Sequence, residues 1–262
     1  MHAYLRTPDW KRTVALTGAT VHNPAKAIDG WTEVDLDQHA YALGNEQVSE
    51  PFFCPDGTWR VTHDYDPEQG FINAAPLSFG GLRASAAAWR IAAQRLKDDE
   101  DIDQLTLECN QLLAQGKVLE LSKRICVWGG KTGPRVWGNL KRFHAAESDE
   151  RCSELETKLL RWLTEAATQN DPGVAIQPGV DIQGLDVSYA SKQLRILFPD
   201  DHATLDSIIC QRMGYALNPA GYRLFIDSLK AFKASSAGLP PRLGDMESGL
   251  FYLLIRGRPS VV

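Results

Sequence analysis

The sequence predicts a mainly α-helical protein with a small, irregular and β-containing N-terminal portion. From Gly81 onward, apolar residues recur at three- and four-residue steps in several long segments, which is the period of a helix with one buried face. The residues before Gly81 are instead rich in Pro, Gly, Asn and aromatic side chains, with short strand-like pieces. We therefore predict an N-terminal portion over residues 1–78 and a helical domain over residues 79–262.

Each predicted element follows from a local pattern. Turn signals such as Asp29-Gly30 and Asp56-Gly57 separate three predicted strands, over Thr13–Leu16, Trp31–Leu36 and Trp59–Thr62. Helical periodicity predicts helices over Leu82–Lys97, Ile102–Ala114, Val118–Trp128, Cys152–Thr168, Val187–Phe198, Ala220–Lys233 and Gly244–Arg256. A further short helix is predicted to begin near Asp206 and to end near Asn218-Pro219.

The segment from Gly184 to Tyr215 contains the most informative pair of helices. The first predicted helix carries Lys192 and ends at Pro199, and Asp206 lies in the first turn of the second. A carboxylate at that position is stabilised by free backbone N–H groups and by the helix dipole. It is either a helix cap, the commoner role of Asp at a helix start, or a catalytic group.

Composition excludes several classes of protein. The chain has 262 residues and a net charge of −5, and neither a membrane-spanning apolar run nor a charged-then-apolar leader is found. A cytoplasmic protein without a membrane partner is expected. The five cysteines form no CxxC pair, so neither a disulfide framework nor a zinc ribbon is indicated. We expect no metal site and no cofactor.

A basic segment stands out against the acidic chain. Seven cationic residues and the single acid Glu120 lie between residues 117 and 142: Lys117, Lys123, Arg124, Lys131, Arg135, Lys141 and Arg142. Trp128, Trp137 and a Gly-rich turn are interleaved with them. Cations, free amides and aromatic faces together suit a nucleic-acid backbone with an unstacked base nearby, while the alternative is a solvated basic face.

The turn Gly129-Gly130-Lys131-Thr132 also invites comparison with a nucleotide-binding phosphate loop. Such a loop needs a further glycine five positions before Gly130, with four residues between, and that position is Ile125; the loop must also leave a strand. The preceding segment is predicted to be helical, so an NTPase is excluded.

Several of these motifs occur together in a known group of enzymes. They are the spacing of Gly184 and Asp206, Ala190, Arg212-Met213-Gly214, Trp128-Gly129-Gly130, Ser191-Lys192 and Asp206-Ser207. Over roughly residues 120 to 257 the chain resembles the helix-hairpin-helix DNA glycosylase superfamily. It is most similar to bacterial proteins with an 8-oxoguanine-glycosylase-like fold. The resemblance implies a helix-hairpin-helix glycosylase-like helical fold.

The resemblance also implies an activity and a catalytic residue. It implies a DNA glycosylase that flips out a damaged or modified base and cleaves its N-glycosidic bond, with Asp206 as the catalytic carboxylate. Ser188 occupies the position where bifunctional members carry a Schiff-base lysine, and Asp186 replaces the second hairpin glycine. Lys192 lies one helical turn after Ser188 and is a second catalytic candidate, but we expect a monofunctional enzyme.

Double-stranded DNA is the implied partner of a monomeric protein. The implied DNA-contacting residues are Lys131, Arg135, Lys123, Arg124, Lys141, Gly184, Ser188 and His202. His202 either contacts DNA or satisfies the loop that contains it. Trp128 and Trp137 are the expected base-pocket residues.

The substrate and two alternative functions stay open at this level. The bacterial relatives imply a role in antiviral defence, with a modified base of phage DNA as the substrate. The alternatives are a non-catalytic DNA-binding module on the same scaffold and a helical protein-interaction domain whose basic segment binds an acidic partner.

Overall fold

The computed structural model of the chain describes residues 2–6, 20–21, 31–35, 51–53, 57–61, 65–66, 70–71, 76–145, 147 and 152–256. Helices account for most of these residues, and the strands that the structure describes all lie before residue 85. The predicted fold class, mainly α with a small β-containing N-terminal portion, is confirmed.

The described strands form three small sheets. They are β1 (His2–Arg6), β2 (Thr20–Val21), β3 (Trp31–Asp35), β4 (Phe52–Phe53), β5 (Trp59–Arg60), β6 (Tyr65–Asp66), β7 (Gly70–Phe71), β8 (Leu77–Phe79) and β9 (Leu82–Ala84). The strand orders are β1-β3-β2, β4-β5-β9-β8 and β6-β7, and only the β5–β9 pair among them is parallel. The predicted strands at Trp31 and Trp59 correspond to β3 and β5, while Thr13–Leu16 lies outside the described residues.

Ten helices follow in the described chain. They are α1 (Ala86–Asp99), α2 (Ile102–Ala114), α3 (Val118–Trp128), α4 (Gly133–Phe143), α5 (Ser153–Ala166), α6 (Pro172–Val180), α7 (Val187–Leu197), α8 (Ser207–Met213), α9 (Pro219–Ser235) and α10 (Leu243–Arg256). The bounds of α2 and α3 are those that periodicity predicts. Strong amphipathic periodicity therefore located most of the long helices correctly.

Two predicted helix boundaries are wrong. Residues 82–84 belong to strand β9, because Gly80 and Gly81 adopt positive φ angles of 53° and 89° and turn the chain back from β8. Helix α1 then begins after Ser85, whose hydroxyl accepts the N–H of Ala88 at 3.0 Å. Helix α8 ends at Met213 because Gly214, with φ 81°, caps it in the left-handed conformation.

Two helices, α4 and α6, were missed from the sequence. Both contain residues with poor intrinsic helix propensity, namely Gly133, Pro134 and Gly138 in α4 and two Pro-Gly pairs in α6. In each helix a proline occupies one of the first two positions, where its missing N–H has no intrahelical partner to lose. Tertiary packing therefore outweighs local propensity in both segments.

The chain divides into two compact units. The first unit combines Met1–Arg95, Ser235–Pro240 and Ser248–Val262, and the second combines Leu96–Ala234 with Pro241–Glu247. The predicted split into 1–78 and 79–262 concerns continuous segments and stays a prediction. In the first unit, Trp89 is fully buried, meets Phe79 edge-on at 6.3 Å and lies against the backbone of Gly249.

The second unit contains the helices from α2 to α9. Its largest fully buried side chains include Leu121, Leu140, Trp162, Leu194 and Phe225, which belong to five different helices. The indole N–H of Trp162 donates to the carbonyl oxygen of Ala175 at 2.8 Å, and this hydrogen bond ties α5 to α6. Within the described residues, no helix is both long enough and apolar enough to cross a membrane.

Helices α3 and α4 approach each other at a position that excludes any side chain. A Cβ atom on Gly133 would lie 1.6 Å from the carbonyl oxygen of Cys126, which is a backbone atom of α3. By contrast, a Cβ atom on Gly138, also in α4, would have no heavy atom within 4 Å. The first glycine is needed for packing, and the second is not.

Replacing these two glycines by alanine should have opposite effects. We expect Gly133→Ala to lower the free energy of unfolding by about 3 kcal/mol, because the α3 backbone must move. Gly138→Ala should raise it by about 1 kcal/mol, because alanine favours the helix and meets open space. Urea unfolding followed by circular dichroism measures both, and equal stability of the two variants would contradict the α3–α4 contact.

Candidate active site

Helices α6 and α7 flank a short hairpin turn. Residues 181–186 connect the two helices, and Gly184 within the turn has a φ of 105° that favours glycine. Asp186 ends the turn and caps α7, its carboxylate accepting the N–H of Tyr189 at 3.0 Å. The side chain that replaces the second hairpin glycine of the glycosylase pattern therefore has a local role as a helix cap.

The C-terminal end of α4 supports this hairpin turn. A Cβ atom on Gly184 would lie 3.2 Å from side-chain carbons of both Leu140 and Phe143, so the turn packs tightly on α4. The Nε2 atom of buried His144 lies 3.0 Å from the carbonyl oxygen of Gln183. The basic helix α4 is thereby fixed against the turn between α6 and α7.

The Gly-rich turn, residues 129–132, packs against the N-terminal half of α7. The hydroxyl groups of Thr132 and Tyr189 are 2.8 Å apart, and the Tyr189 hydroxyl donates to the carbonyl oxygen of Gly129 at 3.3 Å. A Cβ atom on Gly129 would lie 2.7 Å from Tyr189 Cε1 and 3.1 Å from Lys192 Cδ. Glycine at 129 therefore permits the close approach of this turn to Lys192.

Lys192 is a half-buried cation on α7. Its ammonium group donates to the Ser188 hydroxyl at 3.2 Å and lies 4.7 Å from the centre of the Tyr189 ring. Within the described residues, no carboxylate lies within ion-pairing distance of this ammonium group. The positive charge of Lys192 opposes the rise that burial causes in the pKa of Glu100, as does the charge of Arg195.

Asp206 is the N-cap of α8. Its Oδ1 atom accepts the backbone N–H groups of Ile208 and Ile209 at 3.0 and 2.9 Å. The side chain is partly exposed, and the structure gives its Oδ2 atom no hydrogen-bond donor among the described residues. Oδ1 therefore orients the carboxylate as the cap of α8.

A buried serine couples the two catalytic candidates. Ser191 is fully buried, its hydroxyl accepts the N–H of Leu205 at 3.0 Å, and it donates to the carbonyl oxygen of Ser188 at 3.0 Å. Lys192 follows Ser191, and Asp206 follows Leu205. The hydrogen bond thus joins the two residues that immediately precede Lys192 and Asp206. The pattern Ser191-Lys192 in the sequence did not reveal this role of the serine.

The predicted DNA-contacting cations have different surroundings. Lys131 and Arg135 are exposed at the Gly-rich turn and the first turn of α4, whereas Lys123 and Lys141 are partly exposed. Arg124 pairs with Glu108 and with Glu120, the latter at 3.1 Å. Its charge is therefore offset within the protein, and Lys131 and Arg135 are the stronger candidates for contacting phosphate.

The two predicted base-pocket tryptophans differ in accessibility. Trp137 is only 5% exposed and belongs to the core of the second unit, and its place in a base pocket stays a prediction. Trp128 is partly exposed at the end of α3, and the Arg195 guanidinium lies 5.6 Å from its ring centre. Only Trp128 keeps a surface that a base can reach.

His202 belongs to the core and not to a DNA-binding surface. Its side chain is 4% exposed, and its Nδ1 atom lies 2.9 Å from the hydroxyl of buried Tyr222. The two rings are nearly parallel, with an interplanar angle of 6°. Burial lowers the pKa of His202 to about 4. The side chain thus joins the loop before Asp206 to α9, a contact different from both roles considered for His202 from the sequence.

Comparison with known proteins gives no family assignment. No protein-family model, no curated protein and no solved structure matches this chain. Within the described residues, no group of three His, Cys, Asp or Glu side chains is arranged to hold a metal ion. The functional interpretation therefore depends on the geometry around Asp206 and Lys192.

The lowered pKa of His202 predicts a pH-dependent stability. A buried neutral histidine stabilises the folded state above its ordinary pKa of 6.5, and this contribution is lost as pH falls through about 4. We expect the wild-type protein to be more stable than His202→Gln at pH 7, with the difference shrinking steadily between pH 6.5 and 4. Urea unfolding across this range measures it, and a difference that is independent of pH would contradict the burial of a neutral ring.

Proposed function

We propose that the protein is a DNA glycosylase that excises a damaged or modified base from double-stranded DNA. The observation that carries the proposal is the arrangement of α6, the hairpin turn and α7, which a loop connects to the N-capping Asp206 and which Ser191 couples to that loop. A half-buried lysine without an ion-pair partner in the described chain lies one residue after that serine. We infer a cytoplasmic, monomeric enzyme that acts without a cofactor.

The chemistry of base excision fits the surroundings of Asp206. A base inside a duplex cannot be reached, so the nucleotide must first leave the stack. Positive charge then develops on the sugar as the N-glycosidic bond breaks. The Oδ2 atom of an ionised Asp206 would stabilise this charge and could orient the attacking water, while the two amide hydrogen bonds hold Oδ1 in place.

Lys192 is better placed to contact the nucleotide than to act as a Schiff-base nucleophile. Ser188 stands at the usual lysine position, and the Lys192 ammonium is engaged by the Ser188 hydroxyl and the face of Tyr189. An ammonium group near the reacting sugar would attract the adjacent phosphates. We therefore propose a monofunctional enzyme that leaves an abasic site.

The proposed DNA-binding surface consists of the Gly-rich turn, the first turn of α4 and the hairpin turn. Lys131 and Arg135 provide exposed positive charge, and the contacts of Gly184 with α4 keep the hairpin turn beside that helix. Trp128, which precedes the Gly-rich turn, provides an aromatic surface for an unstacked base. The substrate that we favour is a modified base of phage DNA, which would make the enzyme part of antiviral defence.

A non-catalytic DNA-binding module is the second candidate function. It is favoured by one observation, namely that Asp206 already has a structural role as the cap of α8 and Ser188 replaces the expected lysine. Such a module would bind DNA and release no base. The two candidates therefore differ in the product and not in the binding.

Replacing Asp206 by asparagine should separate its catalytic from its structural role. Asparagine caps helices as well as aspartate, so we expect Asp206→Asn to keep its stability and DNA affinity. Loss of the negative charge should slow base release by about 100-fold or more. The assay would use duplexes containing 8-oxoguanine or uracil and genomic DNA from unmodified and base-modified phages, with released bases identified by mass spectrometry.

Asp171→Asn is a matched control for that experiment. Asp171 caps α6 through the N–H groups of Gly173 and Val174, so the change alters a second helix cap by the same atoms. Its rate should equal that of the wild type. Base release by Asp206→Asn at the wild-type rate would exclude a catalytic role for Asp206, and DNA binding by the wild type without base release would favour the non-catalytic module.

Removing Lys131 and Arg135 should weaken DNA binding and reduce its dependence on salt. The slope of log K against log salt concentration is negative, and each lost phosphate contact makes it less steep by about 1. The double substitution Lys131→Ala/Arg135→Ala should therefore reduce its magnitude by about 2. Fluorescence anisotropy of a labelled duplex at several salt concentrations measures the slope. Lys158→Ala/Arg161→Ala removes two exposed cations that pair with acids within α5, and an equal effect of this control would contradict a specific surface.

A further inference from the structure

A buried ion pair connects α7 to the beginning of α10. The Arg195 Nε atom lies 3.3 Å from Oε2 of Glu247, and the two residues are 2% and 5% exposed. Arg195 also donates to the carbonyl oxygen of Gly244 at 3.4 Å, and Gly244 donates its N–H to the carbonyl oxygen of Pro199 at 2.9 Å. These contacts hold the end of α7 and the start of the loop that leads to Asp206.

The ion pair and Asp206 influence each other electrostatically. Burial raises the pKa of Glu247 to about 7, the positive charge of Arg195 opposes this rise, and the negative charges of Asp206 and Glu100 add to it. The charges of Arg195 and of Lys192, which lies on the same helix, both oppose the rise that burial causes in the pKa of Glu100. Because interaction between charges is mutual, the protonation state of Glu247 changes the potential at Asp206.

The charge of the pair depends on whether Glu247 is ionised. With Glu247 ionised, the Arg195–Glu247 pair is neutral, and with Glu247 protonated it carries one positive charge. A positive charge near Asp206 opposes the positive charge that develops on the sugar during excision. The ionised pair is therefore the form that supports the reaction.

We propose that Glu247 and Arg195 are positioning residues of the excision reaction, which hold the loop carrying Asp206 and control the net charge behind it. The proposal rests on the glycosylase function proposed above. Neither residue needs to touch the substrate. They act through the start of the loop at Pro199 and through the electrostatic environment of the Asp206 carboxylate.

The pH dependence of base release tests the proposal. The single-turnover rate of the wild type should rise about tenfold as pH increases from 6 to 8, because Glu247 ionises in this range. Glu247→Gln mimics the protonated form, so its rate should stay at the low-pH level of the wild type throughout. The probe is the DNA of the base-modified phage, with the released base counted by mass spectrometry.

A double substitution keeps the test informative if Glu247→Gln does not fold. Loss of one partner leaves a buried charge unpaired, whereas Arg195→Met/Glu247→Met replaces the pair by apolar groups of similar volume. The double variant carries no charge at this position at any pH, so its rate should be independent of pH. It also lacks the hydrogen bond from Arg195 to Gly244, so this rate should lie below the high-pH rate of the wild type. Glu165→Gln, which neutralises an exposed carboxylate of α5, should reproduce the wild-type profile.

Unfolding measurements show separately whether Glu247 titrates in the folded protein. Its folded pKa lies above the ordinary value of 4.5, so the associated stability is complete below pH 4.5 and is lost as pH rises towards 7. The stability of the wild type relative to Glu247→Gln, or to the double variant, should therefore fall over this range. A constant difference would overturn the titration of Glu247 on which the proposal depends.

The outcomes distinguish this proposal from the proposed function. If the wild type releases a base and the rate of the double variant rises with pH in the same way, the role of the ion pair is overturned and the glycosylase function is not. A rate of the folded double variant equal to the high-pH rate of the wild type would overturn the role of the pair in holding the loop. Absence of base release from every substrate by the wild type would overturn the glycosylase function, and the role of the pair with it.

Discussion

The hydrogen bond between the Ser191 hydroxyl and the N–H of Leu205 is the contact on which the candidate site depends. It lies in a part of the protein without solvent access, where an unpaired N–H would cost about 1 to 3 kcal/mol. The Ser191 side chain thus determines where the loop that follows Pro199 packs against α7, namely at Leu205. Since Lys192 and Asp206 are the next residues on the two sides, the same contact determines their relation.

Absence of side chains is the second constraint on the site. Gly129, at the end of α3, lies so close to the Tyr189 ring that a Cβ atom would not fit. Gly133, at the start of α4, lies equally close to the backbone of Cys126. Gly179 has the same function under the Trp162 ring, where its Cβ atom would lie 2.3 Å from a ring carbon. The hairpin helices and the basic helix can share one surface only because these backbones approach closely.

Charge is distributed unevenly in a protein whose net charge is −5. Some cations of the basic segment are neutralised locally, as Arg124 is by two glutamates, while Lys131 and Arg135 are exposed. The buried charges are organised differently, because Arg195 and Glu247 pair out of contact with water. Desolvation makes such a pair sensitive to a neighbouring charge in a way that surface pairs are not, since solvent screens the latter.

The sequence by itself determined the mainly helical fold, the bounds of α2 and α3 and the position of Asp206 at the start of a helix. These features depend on periodicity and capping, which are local properties of the chain. It also marked Lys131, Arg135 and Lys192 as chemically interesting, because their residue types and neighbours were visible in the sequence. It did not locate α4 or α6, whose glycines and prolines disfavour a helix until neighbouring helices bury one face.

Only the tertiary structure decided which candidates share a site. It placed His202 beside Tyr222, and it placed Trp137 in the core. It also showed that Ser191 and the Arg195–Glu247 pair contact the two ends of the segment that leads to Asp206. These relations join residues that are 14 to 52 positions apart in the chain. Burial and the pairing of distant polar groups depend on how helices pack against one another, and no local pattern of residue types encodes that packing.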